Sequence, residues 1–188
     1  MGEVEVHSLI PERWQQFEQL FGTRGACGGC WCMYWKLSRK DFEKGQGETN
    51  RLAQKTLVES GCTPGLLAFI DGIPAGWIAV EPRQHYPTLE RSRILKPLDD
   101  IPVWSVTCFF VAKAFRGVGL TLSLLDAAAE HTRAGGGKIL EGYPVEPRTD
   151  VNYPPAFVYT GLVSAYLKTG FVEAGRRSAT RPIMRRTV

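Results

Sequence analysis

The chain holds 188 residues, 44% of them hydrophobic, with 23 Lys and Arg against 19 Asp and Glu for a net charge of +4. That length supports one domain with a real core, spanning 1–188, and excludes two full-sized ones. The mild positive balance suits a small anionic ligand and argues against a nucleic-acid partner, which calls for a strong basic stripe.

Glu3 to Leu9 alternates and reads as a first strand. Ser8 and Pro11 mark a helix start, Trp14, Phe17 and Phe21 recur on one helical face, and Gly22 can end it. Thr23 to Leu37 is irregular and crowded with Gly, Cys and Trp. Arg39 to Gly61 is helical but interrupted at Gly45 and Gly47, with Asn50 as a cap that could restart it. Leu66 to Ile70 and Pro74 to Val80 are strands joined by the hairpin signal Asp71-Gly72. Gly76 inside the second predicts a bulge or a close backbone approach. Glu81 to Pro102 is a long polar connection carrying Arg83, His85, Arg91 and Arg93, and connections of that length tend to be functional.

The apolar run Val103 to Val111 is a fourth strand and leads into Phe115-Arg116-Gly117-Val118-Gly119-Leu120. A small-residue helix follows to Ala134, with Leu120, Leu124, Leu125, Ala128 and Ala129 facing inward. Lys138 to Tyr143 is a fifth strand, and Pro144 to Pro155 is a proline-rich loop. Thr160 to Thr169 is a short helix, and Val172 to Arg177 and Arg181 to Arg186 form a final hairpin. Arg176, Arg177, Arg181, Arg185 and Arg186 on that hairpin read as a solvated sheet face. The order of elements predicts an α/β mixed sheet with helices on both faces.

A strand, a glycine turn and a helix start form an anion-holding device. The amides of the first helical turn have no internal partner, the helix dipole is positive there, and glycine lets main chain approach a phosphate. No Lys-Ser or Lys-Thr follows Gly119, which excludes the P-loop of nucleotide hydrolases. The dinucleotide fingerprint needs a third glycine and an early position in the chain. The device that remains holds the diphosphate of coenzyme A.

Phe109 to Leu125 resembles motif A of the GNAT superfamily of N-acetyltransferases, whose pattern is Gln/Arg-x-x-Gly-x-Gly/Ala. Here it reads Arg116-Gly117-Val118-Gly119-Leu120-Thr121, with Thr in the last place. Tyr166-Leu167-Lys168-Thr169-Gly170-Phe171 is similar to the family's Tyr-x-x-x-Gly-Phe ending. Cys27 to Cys32 and Glu141 to Val145 resemble a bacterial branch of the same superfamily. The resemblance implies a central sheet splayed between its fourth and fifth strands. It implies acetyl transfer from acetyl-CoA, a co-substrate, to an amine of a small molecule or peptide in a ternary complex. The main chain of Arg116 to Thr121 would hold the diphosphate, and the edge at Phe109, Phe110 and Val111 would pair with pantetheine. Tyr166 matches the family's general acid. A phenol (pKa about 10) is a weaker acid than a thiol (about 8.5), so a hydrogen bond to the leaving thiolate is the firmer role. Glu141, and after it Glu81, are the carboxylates placed to take the amine's proton.

Rival readings attach to other residues. A coenzyme A-binding sensor without turnover would keep the same turn. Cys27, Cys30 and Cys32 suggest a metal- or redox-responsive regulator, but three thiols fall short of the four ligands of structural zinc, so no metal is expected. Cys108 and His131 read as packed residues, and His85 is the better functional histidine. Trp31, Tyr34, Trp35 and Trp77 could line an acceptor pocket. No apolar run reaches the length of a membrane span, and Met1 to Val6 lacks the regions of a signal peptide. Five cysteines without framework spacing fit a reducing cytoplasm, with a monomer or homodimer expected and no membrane partner.

Overall fold

A computed structural model describes residues 2–147 and 154–188. The strands are β1 (Val4–Ser8), β2 (Gly65–Ile70), β3 (Ile73–Pro82), β4 (Trp104–Val111), β5 (Ile139–Gly142), β6 (Val172–Arg176) and β7 (Pro182–Thr187). They form one mixed sheet in the order β1-β2-β3-β4-β5-β7-β6. The helices are α1 (Trp14–Phe21), α2 (Arg39–Lys44), α3 (Glu48–Glu59), α4 (Pro87–Glu90), α5 (Leu120–Ala134) and α6 (Val163–Lys168). Residues 148–153 of the expected loop from Pro144 to Pro155 lie outside the described residues.

Local chemistry accounts for most boundaries. Asp71 (φ 50) and Gly72 (φ 75) both adopt the left-handed conformation of a tight hairpin turn. Ser38 caps α2, its hydroxyl accepting from the Asp41 N–H at 3.2 Å. Asn50 does not cap α3; Gly47 holds that position, and Asn50 is buried. Its Nδ2 donates to the carbonyls of Gly29 and Phe42, both at 3.3 Å, and so pins the irregular loop 24–37 to the helices. An asparagine that far inside the turn is worth more as a bridge between elements than as a cap.

The sheet separates two apolar layers. On one face α5 lays Leu120, Leu124, Leu125, Ala128 and Ala129 against Ile78, Val80, Val106 and Leu140. A side chain at Gly76 would meet the Leu120 Cδ2 at 2.8 Å, so the bare backbone lets the helix seat closely. The β2–β3 register also shifts there, between Ala68 and Phe69. On the other face α1 packs Phe17 and Phe21 on Trp77 and Trp31. The connection after β3 is less polar than its composition suggests: Tyr86, Leu89 and Leu95 are buried with Tyr143 and Ile183 in a third cluster.

Two irregularities in the middle of the sheet open a gap beside β4. β4 and β5 run parallel for three pairs only, Trp104↔Leu140, Ser105↔Glu141 and Val106↔Gly142, and then separate. The β3–β4 register jumps from Val80↔Val106 to Ala79↔Cys108, leaving Thr107 as an extra residue. Beyond that bulge Phe109 packs with the α5 layer, while Cys108 and Phe110 pack with the α1 layer.

Leu124 is fully buried at the centre of the α5 layer. Leu124→Ala is expected to lower unfolding free energy by about 2–5 kcal/mol in urea denaturation. A loss below about 1 kcal/mol would mean that α5 does not supply the core of this face.

Candidate active site

Between β4 and α5 the chain makes a 3-10 turn at Lys113–Phe115 and then turns through Gly117 (φ 84) and Gly119 (φ 85). A side chain at either glycine would meet nothing within 4 Å, so the turn faces open space. The Arg116 N–H is used on the Lys113 carbonyl at 3.4 Å, and the first bond of the helix runs from Leu122 N–H to Gly119 at 2.8 Å. The amides of Gly117, Val118, Gly119, Leu120 and Thr121 have no partner among the described residues. Five main-chain donors stand at the positive end of a long helix, flanked by exposed Lys113 and Arg116, an arrangement suited to an anion.

Beside this turn, β4 continues past its last pairing with β5. The Phe109 N–H points into the gap and donates to the Tyr159 carbonyl at 2.6 Å. The Val111 carbonyl accepts from the Arg116 Nε at 3.1 Å. The edge expected at Phe109, Phe110 and Val111 is therefore open to β5 but touched at two points by other parts of the chain. Phe110 is not part of it. Alternation along an antiparallel strand turns its main chain toward β3, where it pairs with Trp77.

Tyr166 sits in the same gap. Its ring meets Phe109 edge-on, with centroids 6.3 Å apart, and a side chain at Gly142 would overlap it. The bare Gly142 thus admits the phenol at the point where β5 leaves β4. The hydroxyl is fully buried and donates to the Thr160 carbonyl at 3.1 Å. Burial holds its pKa well above that of an ordinary phenol, against the opposing charge of Arg181, so it stays protonated.

This topology is shared with solved structures. An acetyltransferase of the GNAT family from Listeria monocytogenes is similar at 13% identity and TM-score 0.59, over 98% of this chain and 95% of that one. An N-acetyltransferase, PaiA, from Thermoplasma acidophilum, solved with coenzyme A, is similar at 15% identity and TM-score 0.55, over 99% of each chain. A ribosomal-protein-S5-alanine acetyltransferase from Vibrio fischeri is similar at 11% identity and TM-score 0.54, over 100% of this chain and 94% of that one. The chain has the GNAT acetyltransferase fold. No protein-family model matches it, and no curated protein matches its sequence.

Within this GNAT fold the two expected carboxylates differ in their surroundings. Glu141 is 1% exposed, and both of its oxygens are occupied. Oε1 accepts from Arg83 at 2.8 Å and from the Tyr143 hydroxyl at 2.6 Å, and Oε2 accepts from Arg185 at 2.8 Å. That arrangement ties β5 to β7 and to the connection after β3, with three hydrogen bonds on one buried carboxylate. Glu81, opposite Ser105 on the neighbouring strand, is paired with Lys36 through Oε2 and with His85 Nδ1 at 3.0 Å through Oε1. The Lys36 ammonium lies 4.8 Å from the centroid of the Tyr86 ring. His85 is half exposed, so its imidazole joins buried Glu81 to solvent.

The remaining candidates divide by burial. Trp77 and Trp31 are core residues, and the Trp77 Nε1 donates to the Cys32 Sγ at 2.9 Å. Tyr34 is exposed and stacks edge-on to Trp35, Phe42 and Tyr159, on the face that carries Glu81. No group of three or more His, Cys, Asp or Glu side chains is placed to hold a metal among the described residues. Cys27 is exposed and Cys32 is buried. Burial pushes the Cys30 thiol up to about 11 and Cys32 higher than usual as well. His131 packs edge-on to Trp104, and burial lowers its pKa. No helix among the described residues is long and apolar enough to cross a membrane.

Sequence patterns leave Arg83 without a role in its connection, set Arg185 on a solvated face, and pass over Lys36 and Tyr159. Arg185 is not on a solvated face; its side chain is 13% exposed between Glu141 and Asp99. The alternation of Arg181, Ile183 and Arg185 was the available signal, since it sets arginines on the same face as a core residue. Glu141→Ala would leave Arg83 and Arg185 desolvated beside an empty space, and is expected to cost about 3–5 kcal/mol in urea denaturation. Unchanged stability with abolished turnover would instead return Glu141 to the chemistry.

Proposed function

We propose that this chain transfers the acetyl group of acetyl-CoA to an amine. The observation that carries this reading is the row of unpartnered amides from Gly117 to Thr121, next to a strand edge freed by the parting of β4 and β5. The amides of the glycine turn hold the diphosphate, and Lys113 and Arg116 add charge. The open side of β4 at Phe109 and Val111 offers main-chain groups to pantetheine, once Tyr159 yields its bond to the Phe109 N–H. Bound acetyl-CoA supplies an activated thioester: the amine nitrogen bonds to the acetyl carbon as the carbon–sulfur bond breaks, and the proton that the acylated nitrogen sheds leaves on coenzyme A as a thiol.

The protein's own groups then have distinct tasks. Glu81 takes the proton that an ammonium must lose before it can attack, and His85 passes it outward. Lys36 holds the second carboxylate oxygen and fixes its direction. Tyr166, kept protonated by burial, turns its hydrogen from the Thr160 carbonyl to the departing sulfur. The rest of the rate comes from alignment of the two reactants.

A second reading, a coenzyme A-binding module without turnover, is favoured by two bonds: Phe109 N–H to Tyr159 and Tyr166 hydroxyl to Thr160 occupy the groups that catalysis needs. Release of free thiol from acetyl-CoA in the presence of a panel of primary amines separates the two. The enzyme reading predicts release with at least one amine, falling about 10²-fold in Tyr166→Phe, the scale of losing one transition-state hydrogen bond. Tight coenzyme A binding with no thiol release for any amine supports the module. Release that is unchanged in Tyr166→Phe removes Tyr166 from the chemistry.

A further inference from the structure

The β7 strand enters the sheet beside the far end of β5. The Glu146 N–H donates to the Thr180 carbonyl at 2.9 Å, and Gly142 pairs with Met184. Ile183 packs in the buried cluster of Tyr86, Leu89 and Tyr143, on the face opposite α5. Arg181 lies just before β7, in a turn where its N–H donates to the Ser178 carbonyl at 3.3 Å, beside the place where β4 and β5 part. Its charge lies within electrostatic reach of Tyr159, Tyr166 and Tyr34. Tyr159 and Tyr166 both meet Phe109 of β4, the first through its carbonyl on the Phe109 N–H and the second ring edge to ring.

Arg181 differs from its neighbours in having no ionic partner among the described residues. Arg176 pairs with Glu146 and Glu173, Arg185 with Glu141 and Asp99, and Arg186 with Asp126. Arg177 donates to the carbonyls of Lys96 and Pro97. The Arg181 side chain has neither a carboxylate nor a carbonyl among the described residues. Its Nε is shut off from solvent without a partner. Burial lowers its pKa, but a guanidinium remains charged at any pH the protein meets. A partly desolvated cation with no counter-ion destabilises the fold unless an anion arrives. The diphosphate site lies at the head of α5, on the other side of the sheet, so the anion in question comes with the acceptor.

We propose that Arg181 receives a carboxylate of the acceptor, which makes the acceptor an amine that itself carries a carboxylate, a free amino acid being the smallest case. The planar fork of a guanidinium matches a carboxylate in two parallel hydrogen bonds. Anchored there, the acceptor presents its amine toward the gap between β4 and β5. The proposal rests on the acetyl-transfer reading for the fate of the amine, but not for the binding of the carboxylate.

The test is calorimetric titration of the protein saturated with coenzyme A, using each of the standard L-amino acids and its α-carboxamide. At least one acid is expected to bind, with its amide at least tenfold weaker. Arg181→Gln is expected to abolish that preference, and Arg181→Lys to restore part of it. The melting temperature of Arg181→Gln is expected to hold or rise, since the change removes an unpaired charge; a role in holding the fold would lower it. Absence of binding by every acid, equal binding of acid and amide, or a preference that survives in Arg181→Gln overturns the proposal. The acid–amide comparison on the unaltered chain stands even where a variant misfolds. Because binding is read without turnover, failure of acetyl transfer and failure of carboxylate recognition give different results.

Discussion

An α-helix cannot satisfy the donors of its own first turn, and here that deficit is left open to solvent at the head of α5. Everything else about the centre of the molecule serves to hold that turn in place. The inward face of α5 is cemented to β3 and β4 by leucines and alanines. Gly76 lets the helix approach the sheet, and the two left-handed glycines at 117 and 119 turn the chain sharply from strand to helix. Donors fixed by a core in this way bind without having to be ordered first, which is where much of the affinity for an anion originates.

The second constraint is the short pairing of β4 with β5. A parallel pair that stops after Val106 and Gly142 leaves main-chain groups of β4 facing a gap rather than a neighbour. The chain fills that gap with small concessions: Tyr159 lends a carbonyl, Tyr166 inserts a ring over Gly142, and Gly161 (φ 85) keeps both Tyr166 and Phe109 within reach. These contacts are local and replaceable. The ion-pair cluster of Arg83, Glu141 and Arg185, by contrast, is deeply buried and joins three segments, so it belongs to the frame that keeps the gap from closing or widening.

The glycine turn and all seven strands were legible in the sequence because each depends on neighbours a few residues away. Asp71-Gly72 demands a hairpin, and a small-residue helix after Gly119 demands a close-packed partner. What escaped was set by long-range order. Glu141 looks like a free carboxylate until β7, rather than β6, is found beside β5, which brings Arg185 against it. Arg181 looks like one of five similar arginines until that same strand order sets it beside the place where β4 and β5 part. Asn50 looks like a helix cap until loop 24–37 folds back and offers it the Gly29 carbonyl. Residue type and spacing do not encode which strand lies next to which, and buried charge is decided by that arrangement.

The central claim is that the amides from Gly117 to Thr121 are the donors for coenzyme A. Their individual resonances can be followed in a two-dimensional 15N–1H spectrum as coenzyme A is added. The account predicts that these five cross-peaks move together and downfield at saturation, as amides do on donating to a phosphate oxygen. If coenzyme A binds while those five remain where they were, or fails to bind at millimolar concentration, the account is contradicted.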